Sequence, residues 1–223
     1  MVYEEFAETI CGLLPELTEG QMEKFRRMDG LYREWNSRIN VISRKDIDEL
    51  YRHHILHSLA IACYLRAQKP DVYAHMLADG GEEILDLGTG GGFPGIPLAV
   101  MFPKVHFTLC DSIGKKITVA SEVAASLGLE NVATVNARAE SLPGVFDYVV
   151  SRAVTSLDNF LPWVKGKYRK SILYLKGGDL VEEIAVAMGR NKLPKGSVGT
   201  WPVDSYIRDE YFKEKFVIEI VKK

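Results

Sequence analysis

The sequence predicts an α/β fold: a mostly parallel, seven-stranded sheet wound with helices on both faces, closed by an antiparallel terminal hairpin and preceded by a helical extension. Three observations carry this. From Glu83 onward, short apolar runs alternate with helix-length segments. The ten residues Asp86-Leu-Gly-Thr-Gly-Gly-Gly-Phe-Pro-Gly95, preceded by Ile84-Leu85, join a buried strand to a helix start. Residues 198–207 and 216–221 are strand-like, with no helix-length pattern between them.

Residues 1–70 read as the helical extension and 71–223 as the sheet domain. Thr18 and Gln21 form a capping-box signature ahead of a long amphipathic segment. Phe25, Met28, Tyr32, Trp35 and Ile39 recur at three and four residues, so they share one helix face, expected to be core. Asn36 and Asn40 lie one turn apart at the edge of that face, where buried amides need partners and can pin the segment that follows. Residues 46–65 read as one further helix carrying His53, His54 and His57.

The sheet then builds in order. The first strand ends at Asp86, and a helix follows through Ile96, Leu98, Ala99 and Val100. Next come a strand at 105–110, a helix at 115–127 closed by Gly128, and a strand at 132–135. The apolar runs 148–151 and 172–175 suit central strands and flank a helix at 157–164; a last helix covers 179–190. No internal repeat or low-complexity segment interrupts the pattern.

The glycine loop implies a nucleoside cofactor. Gly88, Gly90 and Gly92 tolerate positive φ and let a ligand approach the backbone, and Pro94 presets φ for a helical turn. Gly90-x-Gly92-x-x-Gly95 also satisfies the dinucleotide pattern, so spacing does not choose the cofactor. Charge does. A carboxylate at Asp86 repels a pyrophosphate but suits a ligand carrying sulfonium and ammonium groups, which favours S-adenosylmethionine.

Composition bounds the remainder. With 223 residues, 47% of them hydrophobic, the chain can bury a full α/β core. Cys11, Cys63 and Cys110 are odd in number and widely spaced, as expected for free thiols in a reducing compartment. The acidic start Met1-Val-Tyr-Glu-Glu-Phe and the lack of a long apolar run predict a cytoplasmic protein with no membrane partner. A formal net charge of −2 requires any nucleic-acid contact to come from a local patch. The segment from Lys24 to Arg52 offers eight cations among five acids, which fits either an RNA footprint or a solvated mixed-charge helix face.

Candidate site residues follow from the strand ends. Asp111 ends the second strand about 20 residues after the glycine loop, the offset of a ribose ligand, although an aspartate there also caps a turn. Ala139 and Glu140 follow the third strand, where a small residue leaves room for adenine. Arg152 follows the fourth and requires either a cofactor carboxylate or an internal acid as partner. Lys176 ends the fifth, where it faces a phosphate or simply solvent.

Missing motifs narrow the chemistry. No cysteine follows a proline, which disfavours a cytosine-C5 adduct, and Ser151-Arg-Ala-Val154 stands where an exocyclic-amine methylase carries Asn/Asp-Pro-Pro-aromatic. No carboxylate or histidine set on this rim supplies a base for a hydroxyl. Guanine N7 has a free in-plane lone pair, so transfer there needs positioning and no proton removal. A small-molecule methyltransferase, a dinucleotide-dependent oxidoreductase and a non-catalytic nucleotide-binding module remain as alternatives.

The stretch Asp86–Leu98, the run Asp111-Ser-Ile-Gly-Lys-Lys116, Arg138-Ala-Glu140 and Ser151-Arg-Ala-Val154 together resemble the RsmG (GidB) family of bacterial 16S ribosomal RNA guanine-N7 methyltransferases. Trp35-Asn-Ser-Arg-Ile-Asn40 and His54-Ile-Leu-His-Ser-Leu59 extend the resemblance to nearly the whole chain. It implies a Rossmann-like class I methyltransferase domain, S-adenosylmethionine contacts at Gly88, Phe93, Ala139, Glu140 and Arg152, and a guanosine of small-subunit ribosomal RNA as substrate. Asn36, Asn40, His54, Arg152 and Lys176 become the substrate-side candidates, with no metal and a monomeric state expected. Two positions depart from the family pattern. His57 stands where an aspartate is usual, and Lys213 or Lys215 where an arginine precedes the last strand. The three histidines lack a carboxylate or cysteine to complete a metal set on that face.

Overall fold

The computed structural model describes residues 1–152 and 154–222. Its sheet contains β1 (Glu83–Leu87), β2 (His106–Asp111), β3 (Val132–Asn136), β4 (Phe146–Arg152), β5 (Tyr168–Gly177), β6 (Val198–Pro202) and β7 (Lys215–Val221). The order is β3-β2-β1-β4-β5-β7-β6, parallel through β5 and antiparallel at β7 and β6. The chain order reverses between β1 and β4. Open α/β sheets bind ligands beyond the carboxyl ends of the strands at such a switch point.

Six of the helices are α1 (Tyr3–Leu13), α2 (Glu19–Arg38), α3 (His57–Gln68), α4 (Pro70–Ala78), α5 (Gly95–Met101) and α6 (Gly114–Ser126). Their apolar faces join Ile84, Leu109, Val150 and Leu175 in one core. Thus residues 1–70 share a core with the sheet. The opposite face, with Leu85, Leu87, Val149 and Tyr174, packs against α7 (Leu157–Trp163) and α8 (Val181–Asn191). Successive strand side chains alternate between the two cores, and this parity decides where each site residue points.

The capping box at Thr18 and Gln21 forms as expected, and the Gln21 amide also donates to the carbonyls of Val100 and Met101 at the end of α5. Phe25, Met28 and Tyr32 are fully buried, while Trp35 and Ile39 are partly so.

Two expectations are corrected. Residues 46–65 are not one helix: a short 3-10 turn (Ile47–Glu49) leads into a wide π-type turn (Leu50–Leu56), and α3 follows. Wide turns of this kind recur at functional sites, and this one carries His53 and His54. The strand expected at 198–207 stops at Pro202, because proline cannot donate to the ladder; tight turns at Val203–Ser205 and Glu210–Phe212 then lead back to β7. The helices α1 and α4 were not placed from the sequence.

Most cations of the segment from Lys24 to Arg52 have partners within the protein, although Arg26, Arg27, Arg33 and Arg38 stay exposed on its surface. Lys24 and Arg27 donate to the carbonyls of Leu127, Gly128 and Ser126 at the end of α6. Arg26, Arg33, Arg38 and Arg52 sit in ion pairs. Arg44 and Lys45, exposed on the turn before the 3-10 segment, form no ion pair among the described residues.

Candidate active site

Two cavities open at the switch point, and Arg152 lines both. The first, about 540 Å³, is lined by Gly88, Asp111, Ile113, Ala139, Glu140, Val154 and Trp163 among others. The second, about 330 Å³, is lined by Asp46, His53, His54, His57, Lys176, Tyr211 and Lys215, among others.

Of the three glycines expected to admit a ligand, Gly88 lines the first cavity. Gly88, Gly90 and Gly92 all have positive φ. Their surroundings differ. A Cβ at Gly88 would stand 2.4 Å from Val154 in the cavity wall, whereas one at Gly92 would strike Ile96 inside the protein. Gly92 and Phe93 support the loop from behind, Gly90 holds Asp111 through its N–H, and none of the three lines the cavity. Tyr32 props the loop from α2 by donating to the Gly91 carbonyl at 2.9 Å. The sequence showed Tyr32 as a core residue, with no sign of this bond.

Asp86 is turned inward, a correction to the expectation that its charge faces a ligand. Strand parity puts it beside Ile84, on the face covered by α5, and it is fully buried. Its Oδ2 accepts from Thr89 Oγ1 at 2.6 Å and from the Gly95 backbone N–H at 2.7 Å, which ties the two ends of the loop together. Its Oδ1 has no partner among the described residues. Burial pushes the carboxyl up to about 7, against the opposing pull of the two hydrogen bonds and Arg152.

This raised value predicts a pH effect. An aspartate whose folded value lies above its unfolded value of 3.8 stabilises the fold most at low pH, and that contribution is lost as pH rises through 7. Asp86→Asn mimics the protonated form. It is expected to gain roughly 2 kcal/mol on wild type between pH 5 and pH 8 in urea unfolding, the linkage expected for one proton over that window. His54 and His57, buried neutral, act in the opposite direction but equally in both proteins. Parallel stability curves would show that the carboxyl is not perturbed.

Asp111 does two things at once. Its Oδ2 accepts from Gly90 N–H and its Oδ1 from Ile113 N–H, both at 2.9 Å, so it caps the turn as well as lining the cavity. Ala139 is buried in the cavity wall and Glu140 is exposed on its rim.

Arg152 does not meet an internal acid, one of the two partners expected for it. It shares a strand face with Val150, which points it at the π-type turn. Its Nη1 donates to the His53 carbonyl at 2.8 Å, its Nη2 to His54 Nδ1 at 2.9 Å, and the guanidinium lies over the Phe93 ring at 5.3 Å. No carboxylate forms an ion pair with it among the described residues. Burial lowers its pKa, which Tyr211 and Asp86 oppose.

His54 and His57 beside it are held neutral. Burial, then the charge of Arg152, pushes His54 down to about 3 and holds His57 well below its ordinary value. His53 stacks on Tyr211 with centroids 4.0 Å apart, and its Nδ1 lies 2.8 Å from Asp46, the carboxylate the sequence failed to place on this face. Among the described residues, no group of three or more His, Cys, Asp or Glu is arranged to hold a metal.

The other substrate-side candidates are largely committed elsewhere. Asn36 uses both amide atoms on the backbone of Val41 and Ile42 at 2.9 Å, the pinning role, while Asn40 is exposed. Lys176 borders the second cavity, yet its ammonium binds Glu183 at 2.6 Å and the Thr155 carbonyl. Lys213 pairs with Glu210, so Lys215, lying over the Tyr211 ring, is the basic residue before the last strand that reaches the cavity. Of the Ser151–Val154 motif, Ala153 lies outside the described residues. Trp163 and Tyr211 were missed, because no spacing or motif marks them, and Val154 was quoted in its motif without a role.

The model of the GidB family, described as rRNA small subunit methyltransferase G, matches residues 21–202. The chain belongs to this family. It is 45% identical to "Ribosomal RNA small subunit methyltransferase G" of Flavobacterium psychrophilum over 97% of this chain and 98% of that relative. It is 48% identical to the protein of the same name from Porphyromonas gingivalis, over 95% and 91% of the two chains. Among solved structures, magnesium protoporphyrin IX methyltransferase from Synechocystis PCC 6803, with bound SAM, superposes with a TM-score of 0.61 over 92% of this chain and 98% of that one. At 14% identity this likeness shows the fold alone, a Rossmann-like doubly wound sheet.

Proposed function

We propose that this member of the GidB family transfers the methyl group of S-adenosylmethionine to N7 of a guanosine in 16S ribosomal RNA of the small subunit. The observation that carries the reading is the pair of cavities divided by Arg152, one suited to a nucleoside donor and the other to a base. The first cavity fits the donor chemically. Gly88 keeps the wall beside Val154 bare of a side chain, Asp111 stands where a ribose diol binds, and Ala139 and Glu140 border the space for adenine. Arg152, without an internal acid, suits the donor's carboxylate. Asp86, Gly90, Gly92 and Phe93 support that surface from behind.

The donor supplies a methyl group activated by a sulfonium. The chain's residues hold the two partners in line and exclude bulk water, and no proton needs to move. Asp46, kept ionised by its hydrogen bond to His53, is the carboxylate in the second cavity that favours the cation left on the base. Arg44 and Lys45, exposed near that opening, are candidates for phosphate contact. A cytoplasmic location and a monomeric state go with this reading.

The test is transfer of labelled methyl from S-adenosylmethionine to total RNA, to small subunits and to a metabolite extract, followed by nucleoside analysis. The label is expected in 7-methylguanosine of small-subunit RNA, with efficiency falling steeply as salt rises. Label confined to protein or metabolites would overturn the proposal.

A further inference from the structure

Arg152 is the wall shared by the two cavities, and its surroundings are unusual for a largely buried cation. Both groups that fix it, the His53 carbonyl and the His54 ring, are uncharged. A guanidinium has five N–H donors and no acceptor, so His54 Nδ1 must accept the 2.9 Å bond and the ring proton sits on Nε2. Buried arginines are normally paired with a carboxylate, which would hold the side chain as well and cancel its charge. Here orientation is supplied without cancellation.

Nearby acids do not change this. Asp86 bonds its own loop, Asp46 bonds His53, and Asp209 and Glu49 bond Arg52. Phe93, on the remaining side, offers the face of its ring.

We propose that His54 is a positioning residue: it aims Arg152 while leaving its positive charge free, so that the guanidinium captures the carboxylate of the donor's amino-acid moiety at the boundary of the two cavities. This rests on the reading that the first cavity takes S-adenosylmethionine. It departs from the sequence expectation that His54 touches the substrate.

Two nearly isosteric variants separate charge from hydrogen bonding. His54→Asn keeps a neutral acceptor where Nδ1 stands; His54→Asp offers the same acceptor with a negative charge. The readout is calorimetric titration with S-adenosylhomocysteine, which carries the carboxylate, and with 5′-methylthioadenosine, which lacks it. His54→Asn is expected to bind S-adenosylhomocysteine within about threefold of wild type, and His54→Asp at least ~20-fold more weakly, because the new ion pair neutralises Arg152. Methylthioadenosine affinity is expected to be equal in all three proteins, which also reports that the fold is intact.

A purely structural role predicts the reverse order, since an aspartate would hold the arginine more tightly. Equal S-adenosylhomocysteine affinity in the Asp and Asn variants, or equal loss in both, would overturn the inference. A wild-type protein that binds neither nucleoside would instead overturn the donor-site reading beneath it.

Discussion

Arg152→Ala is expected to weaken S-adenosylhomocysteine binding by ~100-fold, about 2.8 kcal/mol at 1.4 kcal/mol per factor of ten. The melting temperature is expected to change little. The reason lies in what Arg152 touches. Its partners are a carbonyl and a neutral imidazole, both beside open cavities where water can replace the lost donors, so truncation strands no buried charge. What disappears is the uncancelled cation that faces the donor's carboxylate. Arg152→Lys keeps a charge but cannot reach the His53 carbonyl and His54 Nδ1 together, so it is expected to recover only part of the affinity, remaining about tenfold down. Calorimetry with S-adenosylhomocysteine checks both variants, and wild-type affinity in Arg152→Ala would remove the residue from the donor site.

Asp86→Ala is the second large effect, and it acts on the loop. Removing Oδ2 leaves the Gly95 N–H and the Thr89 hydroxyl without an acceptor in a fully buried place and opens a small void under α5. One unsatisfied buried donor costs about 1–3 kcal/mol, and the void adds to it, so a loss of about 3 kcal/mol is expected with donor binding abolished. Asp86→Asn retains an oxygen that accepts both bonds and is expected to keep the fold and most of the binding. Urea unfolding at pH 7.5, paired with S-adenosylhomocysteine titration, distinguishes the two. If alanine and asparagine were equally tolerated, the carboxylate would not be closing the loop.

That contrast shows where reasoning from sequence reached the right residue for an incomplete reason. Asp86 was singled out for its charge, as the group that selects a positively charged donor. The fold instead buries it, raises its pKa to about 7, and uses its oxygen to fasten Thr89 and Gly95. Arg152 was recognised from its place at a strand end, and its need for a partner was sound, but the partner proved uncharged. His54 was taken for a residue that meets the substrate; its Nδ1 meets Arg152. Tyr211 and Trp163 carried no signal, because each reaches a cavity through chain segments whose positions depend on distant packing.

Local patterns were enough for most of the sheet, for the glycine loop and for α2, but not for α1, α4 or the turn before α3. Alternation of apolar runs with helix-length segments, glycines at positive φ and the capping box at Thr18 are set by neighbours within a few residues, so these parts were legible in the chain. Alternation along each strand was legible, but only the pairing of Asp86 with Val150 puts Asp86 and Arg152 on one face. Left open too was which residues cover that face. The π-type turn at Leu50–Leu56, lying about a hundred residues before Arg152, brings His53 and His54 onto it. The character of the site, a cation held by neutral groups between two cavities, arises from contacts across that distance. Only packing of the whole chain decides them, because side-chain direction follows from the tertiary neighbours and not from spacing along the sequence.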